Sequence, residues 1–179
     1  MTLREVVARH RVVVSAGSGG VGKTTVATNL AVYLRAMRED LPILLIGLDD
    51  QPAIDRMFAI ESCRSGPTVA DALRAGSLTG AIRLGNYGVH YVPTSPRIGE
   101  LKREISDLDR LRRILAAADW RGLVLLDTKS DLEILSQNAL RACDLALVLA
   151  RNLGSVEEAA KVFELLRLWG RPRDTARIL

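Results

Sequence analysis

Residues 17–25 read GSGGVGKTT. The run follows a short apolar stretch, 11–16 (RVVVSA), and leads into 25–37 (TVATNLAVYLRAM), where Val26, Leu30, Leu34 and Met37 recur at helical spacing. The order is therefore strand, glycine-rich turn, helix, which few folds accommodate. Glycines let the backbone bend tightly and aim several N–H groups at one centre. The helix that follows adds the positive end of its dipole. Gly17, Gly22, Lys23 and Thr24 fit G-x-x-x-x-G-K-[ST], the phosphate-cradling pattern, in which Lys23 reaches the outer phosphates and the Thr24 hydroxyl faces Mg2+. A plain glycine-rich turn between packed elements is the competing account. Gly17, Gly19 and Gly22 also satisfy G-x-G-x-x-G, but Lys23 and Thr24 follow at once. Asp40, near the distance of a ribose-binding acid, stands before Pro42 rather than at a strand end.

The rest of the chain repeats the alternation. Residues 43–48 (ILLIGL), 88–93 (GVHYVP), 123–127 (LVLLD) and 145–149 (LALVL) read as strands. Helical patterns lie over 68–75, stopped by Gly76, over 97–118 as one bent or two short helices, over 132–143, and after Ser155. Ser155 with Glu158 is expected to form a capping box, followed by an apolar stripe of Phe163, Leu166 and Trp169. Residues 52–66 carry no clear pattern. Nearly all-apolar strands separated by helices predict an α/β fold: a mostly parallel, doubly wound β-sheet flanked by helices in three layers. Aromatic residues are only 4% of the chain, so the core must be built from Leu, Val, Ile and Ala. One nucleotide-binding domain over 1–179 is expected, with the basic tail 171–179 stopping where a new strand would begin and the final strands of such a fold left out.

In sheets of this kind ligands sit beyond the carboxyl ends of the strands. The glycine loop, Asp49 and Asp127 all fall there. Asp127, after four apolar residues, suits Mg2+ held directly or through water. Asp49 suits orientation of an attacking water or contact with the water shell of the metal. Asp50 reads as a turn or surface acid. His10 and His90 have no ligand-like partners, and Cys63 and Cys143 form neither a metal-ligand cluster nor a catalytic pair. The distant cysteines, together with no apolar leader in 1–11 and no run near the membrane-spanning length of about 20 residues, point to the cytoplasm. The net charge of +4 is too small to establish a nucleic-acid or membrane partner.

With these residues in view, the chain resembles the ParA/MinD superfamily of deviant phosphate-loop ATPases, and its ParA-like branch most. The resemblance lies in SGGVGKTTVATNLAVYL (18–34), ILLIGLDDQ (43–51), VHYVPTSP (89–96), LVLLD (123–127) and NALRACDLALVLA (138–150), and covers about residues 11–168. It implies a switch that binds ATP and Mg2+. Gly17, Ser18, Gly19, Gly20, Val21, Gly22, Lys23, Thr24 and Thr25 would line the nucleotide, Lys23 and Asp49 would serve hydrolysis, and Thr24 and Asp127 would hold the metal. It also implies a nucleotide-sandwiched homodimer, nonspecific DNA as a partner, and a ParB-like protein that activates hydrolysis. No C-terminal amphipathic membrane helix is present, which argues against the membrane-binding branch.

Three departures stand out. Ser18 occupies the place of the signature lysine that the family carries into the partner's site, and a serine has no such reach. The first switch, D-x-D-P-Q in the family, is Gly47-Leu48-Asp49-Asp50-Gln51 here. Asp127 is followed by Thr128-Lys129-Ser130 instead of Ala-Pro-Pro, which makes Lys129 either a replacement charge near the phosphates or a surface lysine. Two functions follow: a partitioning or positioning ATPase, or a nucleotide-responsive binding module with little hydrolysis. Arg97, Lys102, Arg103, Arg110, Arg112, Arg113 and Arg121, interleaved with acids, are either a basic stripe for DNA phosphates or a solvated helix face.

Overall fold

A computed structural model describes residues 12–60 and 66–179; His10 and Cys63 lie outside the described residues. Among the described residues, seven strands form one sheet in the order β3-β4-β2-β5-β1-β6-β7. They are β1 (Val12–Gly17), β2 (Ile43–Gly47), β3 (Arg83–Leu84), β4 (His90–Val92), β5 (Leu123–Asp127), β6 (Leu145–Leu149) and β7 (Ala176–Ile178). Every pairing is parallel except that of β3 with β4.

The strands are almost wholly apolar because both sheet faces are covered. On β2 and β5, Leu44, Ile46, Val124 and Leu126 enter one core while Ile43, Leu45, Leu123 and Leu125 enter the other, the two-residue alternation of a pleated strand. The second core is closed by α1 (Lys23–Met37), through Ala27, Ala31 and Leu34, and by α2 (Ala53–Phe58), through Ile54 and Phe58. The first is closed by α3 (Val69–Ala75), α5 (Arg110–Ala117), α6 (Ile134–Ala142) and α7 (Leu153–Leu168); α4 (Leu101–Glu104) adds Leu101. The three-layer α/β/α arrangement is the one expected.

Several local details differ from expectation. α7 begins a turn before the proposed capping box: Asn152, not Ser155, is the N-cap. The Asn152 side chain accepts from the Ser155 amide at 2.9 Å, while Ser155 Oγ accepts from the Asn152 amide at 2.8 Å. Glu158 instead holds Lys161 on the exposed face at 2.6 Å. The 97–118 segment splits into α4 and α5. Asn138 accepts from the Leu111 amide at 3.0 Å and donates to the Asp107 carbonyl at 3.0 Å, pinning the break to α6. The unassigned stretch after β2 contains α2, and the basic tail contributes β7, whose partner is β6. Cys143 is buried behind α6, and burial pushes its thiol up to about 12, so it is core rather than nucleophile. His90 stacks edge-on against Trp120 at 5.0 Å.

Candidate functional site at the carboxyl edge of the sheet

The central strands end level with one another. Asp127 pairs in register with Ser15 of β1 and Gly47 of β2, and the Leu48 amide donates to the Asp127 carbonyl at 2.8 Å. The loop 18–22, the segment after β2 and the segment after β5 are therefore delivered to one place by the sheet itself.

Glycine is required at the loop's root and at its exit. Gly17 has φ +125°, and a Cβ there would lie 2.5 Å from the Leu149 carbonyl oxygen of β6. Gly22 has φ +98° with open space where its Cβ would be. Gly22 is also the N-cap of α1: no side chain caps this helix and no acid stands in its first turn. The first amides of a fifteen-residue helix thus face the loop, with the positive end of the helix dipole behind them. Gly19, Gly20, Val21 and Thr25 line or flank the same turn, and Ser18 contributes its carbonyl, which accepts from Lys23 Nζ at 2.8 Å. On the far side, Ser130 Oγ lies 3.3 Å from the position of the Cβ that Gly19 lacks, so the segment after β5 runs along the loop.

The charges converge as the spacing suggested. Lys23 is only 7% exposed; burial lowers its pKa, against the pull of Asp127, Asp49 and Asp131. Thr24 Oγ1 donates to Asp127 Oδ2 at 2.6 Å. Asp127 is 2% exposed, and burial raises its carboxyl to about 6 although Thr24 and Lys23 oppose the shift and Asp49 adds to it. Burial, with help from the Asp50 carboxyl, also raises Asp49. Asp49 Oδ1 and Asp127 Oδ1 are both buried without a hydrogen-bond partner among the described residues. Buried carboxylate oxygens are costly to leave bare. Two of them beside a threonine hydroxyl and an open helix terminus form a hard-oxygen donor set that fits Mg2+ carried with phosphate.

Two residues outside the anticipated set join the site. Asp50, expected as a turn or surface acid, is 39% exposed and accepts from Lys129 Nζ at 3.1 Å, tying the segment after β2 to the segment after β5. Asp131 adds negative potential at Lys23 and accepts from Lys102 Nζ at 2.9 Å. The only advance signal for Asp131 was its position four residues past Asp127, too weak to act on.

Most of the basic stripe is paired within the chain. Arg97 meets Glu100, Lys102 meets Asp131 and Glu133, Arg112 meets Asp109, Arg113 meets Asp107, Arg121 meets Asp119, and Arg110 donates to the Leu73 and Arg74 carbonyls. Six of the seven basic side chains thus have local partners, as the solvated-face account requires of them, while Arg103 is exposed. No helix among the described residues is long and apolar enough to cross a membrane.

The AAA domain family matches residues 10–155. The chain is 30% identical over 135 residues to the chromosome-partitioning ATPase Soj of Thermus thermophilus, covering 75% of this chain and 52% of that protein. It spans about half the length of the curated relatives it matches. A plasmid partition protein from Borrelia burgdorferi superposes with a TM-score of 0.81 at 19% identity, over 94% of this chain and 76% of that one. Cobyrinic acid a,c-diamide synthase from Mycobacterium smegmatis, solved with ADP and magnesium, superposes with a TM-score of 0.77 at 19% identity, over 93% and 71%. At these identities the two solved structures speak to the fold alone. Sequence match, loop and sheet together place the chain in the AAA-domain family, as a phosphate-loop NTPase of the ParA/MinD/Soj-like partitioning branch.

Proposed function

We propose that the chain is one nucleotide-binding domain that takes up ATP with Mg2+ and acts as a slow ATPase switch in DNA partitioning or intracellular positioning, in the cytoplasm. The observation that carries this is the pair of buried, unpartnered carboxylate oxygens on Asp49 and Asp127 beside Thr24 and Lys23, at the foot of an uncapped helix. Amides of residues 19–25 would cradle the phosphates, with Gly17 and Ser18 forming the near wall. Lys23 would neutralise charge on the outer phosphates. Thr24 and Asp127 would hold the metal, which when bound supplies charge neutralisation to the phosphoryl group. Asp49 would orient the attacking water and take its hydrogen bond, while the buried setting strengthens each of these contacts. Nucleotide-dependent self-association, DNA contact and a ParB-like activator belong to this reading through the branch to which the chain belongs.

A second reading, a nucleotide-responsive module with little turnover, draws on Ser18. Its side chain is short and uncharged, and its carbonyl takes up the Lys23 ammonium at 2.8 Å. The two readings separate by titration calorimetry with Mg-ATP and by phosphate release with and without DNA. Turnover stimulated by DNA and lost in Lys23→Met supports the ATPase. Tight uptake with no turnover under any condition supports the module. No uptake at all sinks both.

A further inference from the structure

The loop 17–25 carries a single cation, Lys23, and that ammonium is buried and already donates to Ser18. A second ammonium follows close by in the chain. Lys129 stands two residues past Asp127, the acid that accepts from Thr24. The Oγ of its neighbour Ser130 lies 3.3 Å from where a Gly19 Cβ would be. The Lys129 ammonium donates to Asp50 at 3.1 Å, in a bridge whose side chains are 40% and 39% exposed. Asp49 also attracts it, while Lys102 repels it.

These contacts have unequal strengths. An exposed ion pair holds its partners by a few-fold at most. A charge-assisted contact with phosphate is worth about tenfold or more. A terminal phosphate in the loop would add negative charge near Asp49, and Lys129, held by an exposed pair, is less committed than the buried Lys23. We propose that Lys129 is a second phosphate-reading residue that distinguishes nucleoside triphosphate from diphosphate, with Asp50 competing for it. The inference rests on the nucleotide-binding reading above. When Lys129 leaves Asp50, the segment after β2 loses its tie to the segment after β5. Occupancy of the terminal phosphate position and the conformation of the first switch segment are thereby linked through one ion pair.

The test is calorimetry on the full chain with Mg-ADP and with the magnesium complex of a non-hydrolysable ATP analogue, comparing wild type, Lys129→Gln, Asp50→Asn and the double variant. Lys129→Gln should lower the triphosphate-to-diphosphate affinity ratio roughly tenfold, leaving ADP binding nearly unchanged. Asp50→Asn should raise the ratio up to about fivefold, because the competitor is gone. In the Lys129→Gln background, Asp50→Asn should change the ratio less than it does in the wild type, and Lys129→Arg should keep most of the wild-type ratio. Matching thermal midpoints establish that each variant folds. If ADP binds normally and the ratio is the same in wild type and Lys129→Gln, or if Asp50→Asn lowers it, this inference is overturned while the nucleotide-binding reading stands. If the wild type binds neither nucleotide, the reading falls and takes this inference with it.

Discussion

The carboxyl edge of the sheet and the basic segment 97–121 are both rich in charge, and the molecule treats them in opposite ways. At the edge, Asp49 and Asp127 keep buried oxygens without a partner and Lys23 is desolvated, so folding alone leaves their electrostatics incomplete. In the basic segment, guanidinium and ammonium groups meet carboxylates or carbonyls at the surface, as with Arg112 on Asp109 at 3.3 Å and Lys102 on Asp131 at 2.9 Å. Unsatisfied buried charge costs far more than a surface pair returns. On the proposed reading a ligand restores balance in the first region, while in the second the chain has largely balanced itself. Charge density alone would have ranked them the other way round.

The comparison breaks most readily at Lys23. Lys23→Met should weaken Mg-nucleotide binding at least about a hundredfold, the loss of two charge-assisted phosphate contacts of roughly 1.5–3 kcal/mol each. Calorimetry reads this directly, and binding within a few-fold of wild type would mean that the loop is not the cradle.

Asp127 gives the next largest effect, and its sign is distinctive. Its carboxyl titrates near 6 in the folded protein, above the ordinary value of 3.8, so the folded state holds its proton more tightly than the unfolded chain. The ligand-free protein should accordingly lose stability as pH rises from about 4 through 6, by about 3 kcal/mol from this group. Carboxylates with depressed values, such as Asp71, contribute the opposite trend: their stabilisation is present above the ordinary carboxylate range and is lost as pH falls through their folded values. The difference between wild type and Asp127→Asn isolates the one group. Asp127→Asn should flatten the slope between pH 4 and 6 and stabilise the ligand-free protein at neutral pH. It should weaken nucleotide binding in magnesium but much less in a chelator. Denaturant unfolding at pH 4.5 and 7.5 checks the first expectation; parallel steepness in both proteins would refute it.

Backbone substitutions sharpen the contrast between the loop's root and its exit. Gly17→Ala drives a Cβ into the Leu149 carbonyl and should cost roughly 3 kcal/mol, whereas Gly22→Ala meets only the positive-φ penalty of about 1–2 kcal/mol. Equal losses in thermal unfolding would contradict the placement of the root against β6. The smallest effect belongs to the basic segment. Arg112→Gln with Arg113→Gln should change the salt dependence of any DNA retention by less than about one counterion, since both arginines already face acids. A drop of two counterions would restore the basic-stripe account.

Much of this was legible in residue order. The nearly continuous apolar runs of β2 and β5 wrote the covered sheet, and the glycine loop between strand and helix wrote the site's floor. Lys23, Thr24, Asp49 and Asp127 could be placed together because apolar runs ended at each acid. The two-residue β3, the short α2 and the three-residue β7 escaped because each is too brief to show a period and is held by its neighbours rather than by its own pattern. The capping box was misread for a related reason: the helix start depends on which backbone amides are left open, and Asn152 took that place first.

By itself, then, the sequence determined the layer order, the identity of the phosphate loop and the acids at the strand ends, since all three follow from local spacing and from the apolar character of buried strands. Only the tertiary structure decided which charges are spent within the molecule and which are left for a ligand. That outcome depends on partners far apart in the chain, such as Asp50 and Lys129 or Lys102 and Asp131, and on burial that no single segment can fix.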